Sequence, residues 1–303
     1  MQLTNKTLLD ELLPQVCRIT YEAGQKISGF YHQDDEVSIE HKQDGSPVTA
    51  ADQAADRFIC QELKSIDSEI PMVTEESVAG VPFDERKSWQ TYWLVDPLDG
   101  TKEFITGTGE YSVNIALIHQ HHPVLGVVYG PESGDFYVGL SASLDDSTEI
   151  QIAKKIAGLQ LTDKPFEFDW TQQLNDAQPV NVAEHPEIRV EQNLPFRVAV
   201  SRRHGAALQH FMGQLGNYTK VKMGSALKTC LVAEGKADIY PRFGPTSLWD
   251  TAAAQCVLEA AGGAVLNAAG HPLEYVQTES LLNPFFIAVG HEDYDWPKFP
   301  EIL

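Results

Sequence analysis

The stretch WLVDPLDGTKEF, residues 93–104, drives an apolar run into two aspartates, Asp96 and Asp99, and breaks at once with Pro97, Gly100 and Thr101. Two carboxylates held that close repel each other unless a cation lies between them or one keeps its proton. The pattern therefore asks for more than packing, and a metal ion is the first candidate. Pro97 fixes the backbone between the aspartates, and Gly100 lets the chain turn tightly. Leu98 is then expected to turn its carbonyl, rather than its side chain, into the space the carboxylates share, with the Thr101 hydroxyl beside it.

An isolated Asp-x-x-Asp-Gly is commonly a turn and nothing else. Here it follows a buried strand at 91–95, and a second short strand at 70–74 also ends in carboxylates, Glu75 and Glu76. Strand ends are where open sheets place their chemistry, which favours a ligand cluster over two unrelated turns. Magnesium takes oxygen donors, usually one or two carboxylates per ion, and completes its shell with phosphate and water. Asp250 in LWDTAAAQ opens a helix, where an aspartate taken alone reads as a cap. Ser225 and Lys228 in GSALKTC pose the opposite problem, because a lysine in the first turn of a helix opposes the dipole. It fits if the helix N-terminus and the lysine hold the same anion.

Outward from this centre, apolar residues recur at helical spacing from Leu8 to about Phe30, with Pro14 tolerable near the first turn. A turn at Asp44–Pro47 leads to a second helix starting at Thr49, with Asp52 in its first turn. YSVNIALIHQ, HPVLGVVYG and GDFYVGL read as consecutive antiparallel strands. In the last third, RVAVS, YTKVKM, ADIYPRF, AVLNAA and PFFIAVG read as strands alternating with helical stretches. The expected organisation is an N-terminal α+β half at 1–150 with metal-binding strand ends and a connecting region of short peripheral elements at 151–195. An α/β half at 196–303 completes the active site.

The net charge of −21, from 43 acidic and 22 basic residues, excludes a general binder of nucleic acid polymers, which needs a basic surface. The N-terminus lacks the features of a secretory signal and no apolar run reaches membrane-spanning length, so the expected location is the cytoplasm. Cys17, Cys60, Cys230 and Cys256 form no CxxC pair and are expected to be reduced and mostly buried. HQHHP at 119–123 reads as a hairpin tip, and AAGGA at 260–264 as a helix C-terminus, not a phosphate loop.

VTEES, DPLDGTKEF and WDTAAAQCVLEAAGG, in this order and spacing, resemble the inositol monophosphatase superfamily of magnesium-dependent, lithium-sensitive phosphatases. Within it, DGSPVTAAD, YWLVDPLDGTKEFI, VNIALI, GVVYGP and LVAEGKADIYPRFGPTSLWDTAA look like the 3′(2′),5′-bisphosphate nucleotidases of the CysQ type. The resemblance runs from the first helix to about Val289. It implies a layered αβαβα sandwich with the active site between the two halves, and two to three Mg²⁺ ions. Glu75, Asp96 and the Leu98 carbonyl would hold one ion, Asp96, Asp99 and Asp250 a second, and Glu75 would share a weaker third. Asp52 and Thr101 would orient the attacking water.

The substrate implied is 3′-phosphoadenosine 5′-phosphate, hydrolysed to AMP and phosphate, a by-product recycled in sulfate assimilation. Ser225, Lys228 and Arg242 would hold the phosphate that is not cleaved; Gly100, Thr101 and Asp250 would border the one that is. Ser201 and His204 in SRRHG match a segment bordering the nucleotide in relatives, although Arg203 replaces a small residue usual there. A monomer or weak homodimer is expected, and relatives have been associated with the cytoplasmic face of the inner membrane. The competing readings are an inositol monophosphatase or other sugar-phosphate phosphatase, with the same metal cluster, and a catalytically silent nucleotide or metal sensor. The intact set Asp52, Glu75, Asp96, Asp99, Thr101 and Asp250 argues against a sensor, which has no use for a water-orienting pair.

Overall fold

The computed structural model describes residues 3–32, 39–41, 47–144, 149–159, 168–202 and 205–300. The chain opens with a single helical turn, α1 (Asn5–Thr7), a π-helical turn at Leu8–Leu12, and the long α2 (Leu13–Tyr31). Pro14 falls in the first turn of α2, where its missing N–H costs little. A short antiparallel pair, β1 (Ile39–His41) and β2 (Pro47–Thr49), leads into α3 (Ala50–Ile66). Thr49 caps α3 in a reciprocal box with Asp52, as the sequence position suggests; the expected turn over Asp44–Pro47 lies largely outside the described residues.

The main sheet follows: β3 (Met72–Thr74), the short α4 (Phe83–Arg86), β4 (Thr91–Asp99), α5 (Thr101–Ile105), β5 (Ser112–His119), β6 (His122–Gly130) and β7 (Asp135–Ala142). β3 and β4 are parallel, and each later pair is antiparallel. At the β5–β6 hairpin tip Gln120 and His121 take φ of +47° and +72°, the tight turn expected for HQHHP.

The structure corrects the expectation of only peripheral elements at 151–195. β8 (Ile150–Ile156) pairs with β7 over its whole length, and after α6 (Trp170–Asp176) the two-residue β9 (Gln178–Pro179) pairs with β8. The sheet is therefore seven-stranded, in the order β3-β4-β5-β6-β7-β8-β9. In IQIAKKI, one strand in from the sheet's edge, Gln151 and two lysines interrupt the apolar residues, so its strand periodicity is weak.

After α7 (Pro186–Glu191), the second sheet is built from β10 (Phe196–Val200), β11 (Tyr218–Lys222), β12 (Ile239–Arg242), β13 (Ala264–Asn267) and β14 (Phe286–Val289), in the order β11-β10-β12-β14-β13. Its helices are α8 (Ala206–Gln214), α9 (Leu227–Ala233) and α10 (Ala252–Ala260).

Three apolar clusters fill the gaps between layers. The first joins α2 and α3 to one face of the seven-stranded sheet through residues such as Val16, Ile59, Trp93 and Ile115. The second packs the other face against α9 and α10, through Leu94, Ile118, Val257 and Leu258, and reaches the five-stranded sheet. The third packs α8 and Trp296 on that sheet's far side. This is the αβαβα layering. α10 passes unusually close to the main sheet because it crosses the paired glycines Gly126 and Gly139; a Cβ at Gly139 would stand 2.6 Å from the Val257 backbone. Among the described residues no helix is long and apolar enough to cross a membrane.

Candidate active site

The question raised by DPLDG is answered by a β-bulge. Asp96 pairs with Asn114 and Asp99 with Ser112, so β4 spends one more residue than β5 over this interval. In a regular strand, residues three apart point to opposite faces; the extra residue reverses that and brings both carboxylates to one side. Pro97, with no N–H for the ladder, is accommodated at the irregularity. Gly100 then takes φ +96° as the N-cap of α5, a left-handed conformation that side-chain-bearing residues rarely adopt.

Asp250 arrives from the other side, at the end of a 3₁₀ turn, Leu248–Asp250, that leads into α10. One carboxylate oxygen from each of Asp96, Asp99 and Asp250 lies within 4.8 Å of the others. Each aspartate also anchors an oxygen on a backbone N–H. Leu98 N donates to Asp96 at 3.0 Å, Ala226 N to Asp99 at 2.5 Å, and Ser247 N to Asp250 at 2.9 Å. Asp250 is thus both a helix cap and a member of the cluster. Glu75, just beyond β3, hydrogen-bonds Asp96.

The electrostatics are those of acids crowded without enough positive charge. Burial first, then the charges of Glu75, Asp99 and Asp250, hold Asp96 well above the ordinary carboxylate range. Burial raises Asp99 to about 6, against the pull of Lys228 and the Ala226 amide. Burial and the Asp99 charge raise Asp250 to about 8, with Arg242 opposing. The cluster presents only oxygen donors and no thiolate or imidazole, a set that fits a hard divalent cation.

A consequence for stability follows with a definite sign. A carboxyl that holds its proton more tightly when folded adds stability that is fully present below the unfolded pKa and is lost as pH rises through the folded one. The metal-free protein should therefore lose thermal stability between about pH 4 and about 8, and Mg²⁺ should raise the melting temperature more at about pH 8.5 than at about pH 5.5. Melting curves at both pH values with and without Mg²⁺ test this. An equal Mg²⁺ effect at both, or none, would contradict it.

On the same side as the cluster, Thr101 Oγ1 donates to Asp52 Oδ1 at 3.1 Å and stands 3.4 Å from the Leu98 carbonyl oxygen. The other Asp52 oxygen accepts from Thr49 N and Thr49 Oγ1. Burial raises the Asp52 pKa, and these hydrogen bonds oppose the rise.

A cavity of about 270 Å³ opens beside the carboxylates, walled by Asp99, Gly100, Ser201, Ser225, Lys228, Arg242 and Asp250, among others. A neighbouring cavity of about 230 Å³ shares Ser201, Tyr240 and Arg242 with it and adds Leu208, Pro241 and Phe243. Lys228 is 6% exposed, donates to the Ser225 carbonyl and lies 5.3 Å from the centre of the Tyr240 ring. Arg242 Nη2 donates to Pro245 O at 3.0 Å, while its Nε is buried with no hydrogen-bond partner among the described residues.

The expected residues that the structure describes thus converge, with one correction. The amide at the start of α9 serves Asp99 and does not wait for an external anion. His204 and Arg203 lie outside the described residues. Two contributors were not singled out in the sequence. Asn114, buried at 1%, donates to Asp99 Oδ2 at 3.3 Å, and its signal is a lone amide within the apolar run SVNIALI. Arg202, at the cavity wall, is paired with Glu110 at 2.6 Å; no sequence pattern links those two.

The profile of the inositol monophosphatase family matches residues 8–292. The chain belongs to that family. Among members of the inositol monophosphatase family, it is 40% identical to the 3′(2′),5′-bisphosphate nucleotidase CysQ of Escherichia coli strain K12, over 91% of this chain and 98% of that one. It is 34% identical to the protein of the same name from Haemophilus influenzae, over 96% and 97%. The crystal structure of CysQ from Bacteroides thetaiotaomicron, a bacterial family member, superposes with a TM-score of 0.77 at 33% identity, covering 95% of this chain and all of that one. The layered architecture is that of the inositol monophosphatase family.

Proposed function

We propose that the protein is a Mg²⁺-dependent phosphomonoesterase that hydrolyses 3′-phosphoadenosine 5′-phosphate to AMP and phosphate. The observation that carries this reading is one cavity walled both by carboxylates of the cluster and by two cations that have no carboxylate partner within 4 Å among the described residues. Those cations are Lys228 and Arg242. The relatives named CysQ support the choice of substrate.

Glu75, Asp96, Asp99, Asp250 and the Leu98 carbonyl would hold two to three Mg²⁺ ions. The ions supply Lewis acidity and neutralise charge that develops on the phosphoryl oxygens. Thr101, by donating to Asp52, keeps its oxygen lone pairs free to accept a hydrogen bond from water and so orient it for attack. Asp52, pinned by Thr49, fixes the threonine rotamer. Ser225, Lys228 and Arg242, all at the cavity wall, would receive the phosphate that stays. Ser201 and the apolar walls of the adjoining cavity would face the nucleoside. We take the protein to act in the cytoplasm as a monomer or weak homodimer.

Phosphate release from 3′-phosphoadenosine 5′-phosphate and from inositol 1-phosphate, measured side by side with Mg²⁺ and with or without Li⁺, tests the reading. Strong preference for the nucleotide, inhibited by Li⁺, is expected; preference for the inositol ester would overturn it. Lys228→Ala should raise KM for the bisphosphate by roughly 10–100-fold, the worth of a charge-assisted hydrogen bond, and far less for a nucleoside monophosphate. Equal effects on both substrates would remove Lys228 from the far-phosphate site.

A further inference from the structure

Away from the catalytic cavity, His185, His291 and Asp293 bring one ligand atom each within 4.8 Å of the others. None of the three walls the cavity between the sheets. His185 caps α7 and is followed by Pro186, so its position is fixed by the start of that helix. His291 and Asp293 follow β14 in the segment that carries Tyr294 and Trp296 onto Phe196.

The hydrogen bonds decide which nitrogens are available. His291 Nε2 lies 2.8 Å from the Ala183 carbonyl oxygen; a carbonyl only accepts, so Nε2 carries the proton and Nδ1 keeps its lone pair. A histidine anchored through one N–H on a carbonyl is the usual support of a metal-ligating imidazole. His185 Nε2 stands 3.5 Å from Asp293 Oδ1, and its Nδ1 stands 3.7 Å from Glu187 Oε2. Without metal, Glu187 N donates to His185 Nδ1 at 3.4 Å, so Nε2 carries the proton. A metal on Nε2 displaces that proton, and Nδ1, once protonated, exchanges the Glu187 amide for the Glu187 carboxylate as its partner.

We propose that His185, His291 and Asp293 form a second metal site for Zn²⁺ or a similar borderline transition ion, chemically distinct from the all-oxygen cluster. Two imidazoles and a carboxylate are a zinc donor set, whereas Mg²⁺ avoids imidazole. Zinc bonds of 2.0–2.1 Å in a tetrahedron set ligand atoms about 3.3 Å apart, close to the His185–Asp293 spacing. The exposed Asp293 side chain can rotate to close the remainder. The ion would staple the segment after the last strand to the start of α7, and with it the entry to β10.

The test uses the full chain with Mg²⁺ in excess, so that the carboxylate cluster is occupied, and titrates Co²⁺ as the probe. A strong visible d–d band of low coordination number, saturating at one equivalent and displaced by Zn²⁺, is expected; octahedral oxygen sites give only weak bands. His185→Asn keeps an acceptor for the Glu187 amide and removes the imidazole, and Asp293→Asn alters an exposed side chain. Both should weaken Co²⁺ binding roughly tenfold or more and abolish the Zn²⁺-induced rise in melting temperature. Absence of the band, or a band of parental affinity in either variant, would overturn the site.

Discussion

Asp96→Asn should reduce turnover by about 10³-fold or more at saturating Mg²⁺ while leaving the metal-free protein at least as stable as its parent. Asp96 is hydrogen-bonded to Glu75 and faces both Asp99 and Asp250, so it is the carboxylate that the first two proposed cation sites share. Losing one shared ligand removes several kcal/mol of charge stabilisation from a phosphoryl transition state, and each 1.4 kcal/mol is about tenfold in rate. The stability half of the expectation has the opposite sign. Without metal, Asp96 is 1% exposed among like charges, and the neutral amide relieves that repulsion while its oxygen can still accept from Leu98 N. Steady-state kinetics and metal-free melting at about pH 8 measure the two halves. Activity within severalfold of the parent would remove Asp96 from the metal site, and a collapse of metal-free stability would make its role structural.

Gly139→Val is expected to cost about 3 kcal/mol of stability or more, the upper range for overpacking, and to depress activity as well. The added Cβ would meet Val257 Cα and N at 2.6 Å and the Cys256 carbonyl carbon at 2.7 Å. These are backbone atoms of a helix, which cannot swing aside as a side chain does, so α10 as a whole must retreat. Gly126, the cross-strand partner of Gly139, leaves no room either, because a Cβ there meets Ala253 O. Asp250 is two residues ahead of α10, and a displacement of about 1 Å at a catalytic group can cost as much as 10²-fold. Denaturant midpoints and kcat at saturating Mg²⁺ would check both effects. A parental midpoint would show that the helix–sheet gap is wider than the contacts imply.

The sequence carried the architecture wherever its signals were strong and local. Apolar periodicity marked α2 and α3, and the alternating strands around HQHH and PESG marked β5 to β7. β8 escaped because Gln151, Lys154 and Lys155 interrupt its apolar residues. The carboxylates were readable since acids at strand ends have few structural uses, yet the reason Asp96 and Asp99 share a side was not. A bulge is a relation between two strands, and only the pairing with Ser112 and Asn114 exposes it. Arg202 and Glu110 were silent for the same reason: 92 residues separate them in the chain. The Gly126–Gly139 pair shows its purpose only when α10 is laid across it.

The two proposed jobs of the cavity fall mostly to different sheets, with Asp250, between β12 and α10, the exception. Glu75, Asp96 and Asp99 stand at strand ends of the seven-stranded sheet, whereas Ser201, Tyr240 and Arg242 belong to the five-stranded one. Substitutions around β10 and β12 can therefore reshape the ester that is accepted without touching the acids that would cleave it. Such a division lets one hydrolytic centre be inherited intact while its clientele diverges, and it makes the rim of the second sheet the place to redesign selectivity.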